Sequence, residues 1–465
     1  MRKQERKAVD SAVDMRGMVK VTSLGCAKNF VDTEVASASF LCAGFGLTSS
    51  DADADVQFIN TCAFLEEART EASGVIRSVR SWKESAPDVR RVIVAGCFVE
   101  WAEKSELEKF PWVDAWLRID AVAEAGKTAR NLLEGKRSVP RGSARPSWLY
   151  THETPRVQLT PAHYAYLKIA DGCDNCCTYC RIPSIRGSLR SRTVGDVVAE
   201  ARQLLKNGVR ELILIAQDSG AFGREGQGVS RLPELLDSLD AIEGDFLLRL
   251  MYLHPASVND ALLDAMKRSR HLVRCIEMPL QHIAEPVLRA MHRKVFESRT
   301  REVVKRMREA GYAVRTTFMT GFPGETAEDF RKLCRFVEET EFERLGVFAY
   351  SREEGTPAAA LPGQIPAATA KRRRGRLLKL QRAISLKHNK ALVGSVIDVI
   401  VDETLSPFEA IGRTLSDAPD IDNQVFLKSG RRLLPGEVVK AEVISASEYE
   451  LAARCVCGKK RGVRK

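Results

Sequence analysis

Short, nearly uninterrupted apolar runs alternate with longer stretches of helical period through most of this chain, and toward the end the pattern switches to period two. Apolar runs of this kind read as strands buried on both faces, and the stretches between them as covering helices. In the first part the runs 19–26, 56–62 and 92–97 flank helical patterns over 31–43 and 66–84. In the middle, runs at 166–170, 211–216, 247–253, 274–280, 314–320 and 345–350 enclose helical patterns such as 194–207 and 299–310. Beyond 393, the stretches 395–402, 409–415, 424–427, 437–445 and 449–454 alternate apolar and polar residues, with Gly and Pro between several of them. That last pattern predicts a small antiparallel barrel.

The fold class expected is α/β and multidomain. An N-terminal parallel-sheet domain over 17–135 precedes a linker over 136–158. A central (β/α)6 partial barrel covers 159–390, and a small OB-like antiparallel β-barrel covers 391–454, followed by a basic tail over 455–465. The segment 351–366 reads as a linker before a basic helix. At 465 residues the chain has room for these units.

The twelve cysteines turn the question from fold to chemistry. Cys173, Cys177 and Cys180 form a Cys-x3-Cys-x2-Cys loop after the first barrel strand. Iron–sulfur clusters are normally held by four Cys, so three leave one iron of a cubane open to an outside ligand. Zinc is the alternative, because Cys176 makes two Cys-x2-Cys pairs within the loop. Structural zinc pairs, however, usually sit about 12 to 20 residues apart, and Cys176 is read as a bystander. Cys26, Cys62 and Cys97 each end one of the first three strand runs, 36 and 35 residues apart. Ligands to open parallel sheets bind at the carboxyl edge, so these thiolates are expected to converge there on a second cluster. The alternative is three ordinary buried thiols, since Cys is among the most buried residue types. That plainer reading is adopted for Cys42, Cys275 and Cys334, and Cys455 and Cys457 are assigned nothing. His254 and His282, which follow two barrel strands, are read as structural.

Charge is uneven. The formal net charge is +11, yet 391–454 carries 11 acidic against 6 basic residues, about −5, with Asp417, Asp420 and Asp422 in one short loop. The run Lys371-Arg-Arg-Arg-Gly-Arg376 and the tail, with five Lys/Arg and no acid, are basic. A basic surface suggests a nucleic-acid or ribosomal environment, the alternative being a solvated helix face. An acidic barrel suits phosphate poorly and is expected to steer a basic protein partner. The stretch Met1 to Arg16 is charged throughout and is not read as a secretory signal; Met15 or Met18 are alternative starts. No apolar run approaches the roughly 18 residues of a membrane helix. With metal-type cysteine spacing, this points to a reducing cytoplasm.

On these residues the central loop resembles that of the radical S-adenosylmethionine (SAM) enzymes. In that family the amine and carboxylate of SAM chelate the open iron, and reductive cleavage of SAM yields a 5′-deoxyadenosyl radical. The resemblance implies SAM contacts at Gln217 and Asp218, after the second barrel strand, and at Gly321 and Glu325, near the adenine. Glu325-Thr-Ala-Glu328 also reads as the start of a helix.

Over residues 19–454 the layout resembles the methylthiotransferases, which join a three-cysteine domain, a radical SAM partial barrel and a TRAM barrel. The matching motifs include Ser23-Leu-Gly-Cys26-Ala-Lys-Asn29, Asn60-Thr-Cys62, Cys180-Arg-Ile-Pro183-Ser-Ile-Arg-Gly187, Pro279-Leu-Gln-His282, Thr320-Gly-Phe-Pro-Gly-Glu325 and Tyr350-Ser-Arg-Glu-Glu-Gly-Thr356. Ala216-Gln-Asp218, Gly346-Val-Phe-Ala-Tyr350 and the loop from Gly412 to Asp422 look like the branch that modifies a ribosomal protein. The resemblance implies a transferase that adds CH3S to the β-carbon of an aspartate in ribosomal protein S12. It implies SAM in two uses, as methyl donor and as radical source. It also implies two 4Fe–4S clusters, held by Cys26, Cys62 and Cys97 and by Cys173, Cys177 and Cys180. An electron donor such as flavodoxin or ferredoxin, and a monomer, are implied too. Two alternatives stay open: methylthiolation of adenosine in transfer RNA, and a non-catalytic iron–sulfur sensor or scaffold. No acid–base catalyst is singled out, because the target is an unactivated C–H and the cofactors carry the hard chemistry.

Overall fold

The computed structural model describes residues 16–136 and 146–456. The alternative start at Met15, residues 457–465 of the basic tail with Cys457, and 137–145 of the expected linker lie outside the described residues. The chain forms two compact units, one running to Trp148 with Thr154–Val157, the other comprising Leu149–Glu153 and Gln158 onward.

The first unit is a five-stranded parallel sheet in the order β2-β1-β3-β4-β5. Its strands are β1 (Met18–Ser23), β2 (Gly46–Thr48), β3 (Val56–Thr61), β4 (Arg91–Gly96) and β5 (Ala115–Leu117). All six residues of β3 are buried, as expected of a central strand covered on both faces. Phe40 and Ala36 of the helix Ala27–Cys42 join Val19, Phe58 and Ile93 of the sheet in one core. Strands β2 and β5, three residues each, left no readable run. The pattern over 66–84 resolves into two helices, Glu66–Ser78 and Arg80–Glu84. Cys42, expected to be buried, is exposed at the end of its helix.

The second unit begins with a parallel sheet of six strands. They are β6 (Tyr164–Lys168), then, beyond a two-residue hairpin of β7 (Ala170–Asp171) and β8 (Arg190–Ser191), β9 (Glu211–Ile215), β10 (Leu247–Leu250), β11 (Leu272–Glu277), β12 (Ala313–Thr320) and β13 (Arg344–Ala349). Their order, β13-β12-β11-β10-β9-β6, is strictly sequential, as right-handed strand–helix units require. The segment 351–366 is not a free linker: Ala358 is fully buried and its N–H donates to Thr178 O at 2.9 Å. A helix, Ala367–Ala391, then leads to the last domain.

That domain is a closed barrel, β14 (Val396–Ser406), β15 (Glu409–Thr414), β16 (Gln424–Lys428), β17 (Val438–Ala446) and β18 (Glu450–Cys455), in the order β14-β15-β16-β18-β17. One seam differs from the expected all-antiparallel pattern. The chain leaves β16, forms β17 on the far side and returns as β18, so β16 and β18 pair in parallel.

The loop between β15 and β16 corrects the reading of its acids. Asp417 is fully buried and accepts from Arg344 Nε at 2.7 Å, Asp422 from Arg315 Nε at 3.1 Å, and Asp420 from the Tyr164 hydroxyl at 2.8 Å. Nearby Arg413 reaches Glu211 at 2.5 Å, and Arg249 donates to Leu415 O. These partners lie near the amino ends of β6, β9, β10, β12 and β13, the edge opposite the cysteine loop. Two of the small barrel's acids, Asp417 and Asp422, are thus spent on cations of the sheet, not offered to a partner. Removing one member of a buried pair strands the other charge. Asp417→Ala is therefore expected to destabilise the second unit by about 3–5 kcal/mol. Asp398→Ala, which breaks the exposed pair with Lys440, should cost less than about 1 kcal/mol. Chemical denaturation of the two variants checks both.

Candidate active site

In the first unit the ladder fixes the cysteines. Ser23 pairs with Asn60 and Thr61 with Gly96, so Cys62 and Cys97 occupy the next rung and Cys26 lies just past the end of β1. Cys26 is the N-cap of the helix Ala27–Cys42, where the positive end of the helix dipole favours a thiolate. The strand ends approach closely. A Cβ on Gly25, at φ +94°, would lie 3.0 Å from Cys62 Sγ, and one on Gly96, at φ +95°, would lie 2.2 Å from Asn60 Oδ1. Asn60 braces the edge by donating to Asn29 O and Thr33 Oγ1, while Asn29 donates to Leu24 O. The register places Cys26, Cys62 and Cys97 at one edge of the sheet.

In the second unit the hairpin β7–β8 presents the loop of Cys173, Cys177 and Cys180. Gly172, at φ +81°, stands where a Cβ would fall 2.0 Å from Ser188 O. The Cys173 N–H donates to Gly187 O, the Thr178 N–H to Met291 O, and Asp174 accepts from the Leu189 N–H. Burial pushes the Cys173 thiol up to about 11 and Cys180 up to about 12, with each of the other two thiols nearby adding to the effect on Cys180. Metal binding must displace these protons. Cys176 is exposed and held at φ 52°, with its Sγ turned to Asp174 O.

Among the described residues no three His, Cys, Asp or Glu side chains are grouped to hold a metal ion at one point.

Beneath the loop lies a charged network that the sequence did not reveal. Asp171 is buried and accepts from Arg186 at 2.9 Å, Lys168 at 3.3 Å, the Gly172 N–H and Gln217 Nε2 at 2.7 Å. Burial opposes its charge, and Arg186, Lys168 and Arg190 overcome that and hold its carboxyl well below the usual range. Because Asp171 takes the Gln217 amide nitrogen, the Gln217 oxygen is left buried and without a hydrogen-bond partner. Asp218 is buried, accepts from Asn175 Nδ2 at 2.7 Å, and is raised above the usual carboxylate range by burial. Arg293, also unsignalled, is buried beside Tyr179 and Cys177, a fixed positive charge next to a thiol.

Gly321 and Glu325 are brought together. Gly321 sits at φ +76° with Ala370 closing on it, and its N–H donates to Glu325 Oε2, which also meets Arg373 at 3.1 Å. Glu325 is thus a brace within its own loop. His282 and His254 are structural caps as expected, each accepting at Nδ1 from a backbone N–H two residues on.

The sequence matches three families in chain order: "Uncharacterized protein family UPF0004" over residues 18–118, the Radical SAM superfamily over 167–337, and the TRAM domain over 393–456. Curated relatives match nearly end to end. The ribosomal protein uS12 methylthiotransferase RimO of Pelotomaculum thermopropionicum is 39% identical over 94% of this chain and 99% of its own length. Those of Geotalea uraniireducens, at 37% over 96% and 100%, and Geobacter sulfurreducens, at 38% over 94% and 98%, are similar. The chain belongs to the uS12 methylthiotransferase RimO family.

Solved structures speak to the fold of this RimO family member alone. The radical SAM methyltransferase TsrM of Kitasatospora setae, with cobalamin and a 4Fe–4S cluster bound, has a TM-score of 0.54 at 15% identity, covering 74% of each chain. The cobalamin-dependent enzyme OxsB has a TM-score of 0.52 at 11% identity over 79% of this chain and 56% of its own. Within the RimO-type loop, geometry separates frame from ligand. Cys176→Ser should leave reconstituted iron unchanged, whereas Gly172→Ala, which forces a Cβ into Ser188 O, should cost the loop its iron. Iron analysis after anaerobic reconstitution, with circular dichroism as a folding control, checks both.

Proposed function

We propose that this protein methylthiolates the β-carbon of an aspartate in ribosomal protein S12 by radical SAM chemistry. The observation that carries the reading is end-to-end similarity to uS12 methylthiotransferases in a chain whose two parallel sheets each present three cysteines at a carboxyl edge. Cys173, Cys177 and Cys180 would hold one four-iron cluster, with Arg293 as fixed counter-charge. Cys26, Cys62 and Cys97 would hold a second. When bound, the clusters and SAM supply the electron, the hydrogen-abstracting radical and the methylated sulfur.

The chain's own residues bind and orient. Gln217, its nitrogen pinned by Asp171, presents a lone oxygen suited to an ammonium group, as SAM carries. The buried Asp218 lies next to it in sequence and is positioned by Asn175. The loop Gly321–Glu325, which follows β12 at the same strand edge, would lie beside the adenine. Tyr179, Phe322 and Tyr350 pack edge to face, with centroids at 6.4 and 5.3 Å, and exclude water from the wall beside the cysteine loop. No proton-removing base is needed, because hydrogen is taken as an atom. The reaction runs in the cytoplasm on a monomer, with a flavodoxin- or ferredoxin-type protein as reductant.

Reconstituted protein incubated with SAM, a reductant, S12 and transfer RNA should give S12 carrying one CH3S group on an aspartate, read by tandem mass spectrometry. Modified adenosine in transfer RNA with S12 untouched would contradict this and favour the nucleic-acid branch. SAM left uncleaved under the same conditions would point to a sensor.

A further inference from the structure

The helix Ala367–Ala391 carries nine Lys and Arg and no acidic residue in its 25 positions. One face is fixed to the rest of its unit. Leu377 and Ile384 enter the main core, Gln381 donates to Phe342 O, Ser385 to Glu448 O, and Asn389 to Ser447 O. The helix is therefore a rigid rod held against both the six-stranded sheet and the small barrel. Three of its cations are used internally: Arg373 on Glu325, Arg374 on Val347 O, and Lys387 on Glu341.

The opposite face is different. Lys371, Arg372, Lys379, Arg382 and Lys390 are exposed and form no ion pair among the described residues. Surface helices ordinarily mix signs, because like charges one turn apart repel. Here Lys379 and Arg382 stand one turn apart, and Arg372 is one turn from Arg376, with no acid to relieve either. A stripe of this kind, held rigid and left uncompensated, fits a polyanion. From Lys371 to Lys390 it runs about 28 Å at 1.5 Å per residue. A duplex presents on the order of 16 phosphates over that length, at one charge per about 1.7 Å.

We propose that this face binds the sugar–phosphate backbone of double-helical RNA, and that it does so when S12 is modified on the RNA-bound small ribosomal subunit. The second clause rests on the S12 reading above; the first does not. The pairing of Asp417 with Arg344 and of Asp422 with Arg315 takes two of the neighbouring small barrel's acids out of the field that an anionic partner would meet. The amino-terminal turn of the same helix walls the proposed SAM loop: Thr320 donates to Ala370 O, and Arg373 braces Glu325. An anion laid along the rod would therefore lie on the very element that closes the active site.

The test compares the unaltered protein with the quadruple variant Lys371→Gln, Lys379→Gln, Arg382→Gln and Lys390→Gln. All four side chains are exposed, so the fold should survive, and circular dichroism verifies it. Three substrates are used: a short RNA duplex, purified small subunits carrying unmodified S12, and free S12. Binding to the duplex should weaken strongly in the variant. The slope of log K against log salt should become shallower by about 3 to 4, close to one for each phosphate no longer neutralised. Modification of S12 in subunits should fall at least about tenfold at moderate salt, while modification of free S12 stays unchanged. Equal duplex affinity with an equal salt slope in the two proteins would overturn the RNA surface. So would binding to anionic lipid vesicles without binding to the duplex. Loss of duplex binding in the variant, with no S12 modified by either protein, would uphold the RNA surface and sink the S12 reading.

Discussion

Parallel strand pairing makes every carboxyl end of a sheet face the same way, and both proposed metal sites depend on that constraint. In the first unit it carries three cysteines, far apart in sequence, to neighbouring strand ends, with the register of β3 and β4 setting two of them on one rung. In the second it gathers the cysteine loop after β6, the Gln217–Asp218 pair after β9 and the Gly321 loop after β12 along one edge. Hydrogen-bonded backbone does the assembling, so each functional side chain needs only to be the residue at which a strand stops. The glycines at 25, 96 and 172 are the local cost of such crowding, since each holds a left-handed or close-packed backbone that a Cβ would break.

Buried charge is handled consistently throughout the second unit. Asp171 faces Lys168 and Arg186, Glu211 faces Arg249 and Arg413, and Asp417 faces Arg344. Each carboxylate would be costly alone in a low-dielectric interior and is tolerable only because it is paired. The first of these clusters sets the orientation of the Gln217 amide. The second and third clasp the small barrel to the amino-end edge of the sheet. One physical device therefore serves the chemistry at one edge and the assembly of domains at the other.

Much of this was legible in the sequence, and the exceptions have physical causes. The long buried strands were visible because covering on both faces leaves an unbroken apolar run. Strands β2 and β5, at three residues, are too short to show a period. The cysteines were legible because thiol spacing tracks strand-and-helix length. Asp171, Asn175 and Arg293 were not, since a lone charged or polar residue looks the same in sequence whether buried or solvated. The same blindness misplaced Asp417, Asp420 and Asp422: their charges were counted correctly, but only the fold shows which side chains of the sheet meet them. Segment 351–366 looked like a linker from its Gly and Pro content, yet Ala358 is buried against the cysteine loop.

The proposal divides the labour between two cysteine trios, one whose cluster would serve SAM cleavage and one whose cluster would bind the sulfur that is methylated. Its most direct test is a triple replacement, Cys26, Cys62 and Cys97 each to Ala, followed by iron analysis and by assays of reductive SAM cleavage and of S12 modification. The account predicts half the iron of the unaltered protein, SAM cleavage retained, and methylthiolated S12 abolished. Full iron, or S12 still methylthiolated, would contradict it.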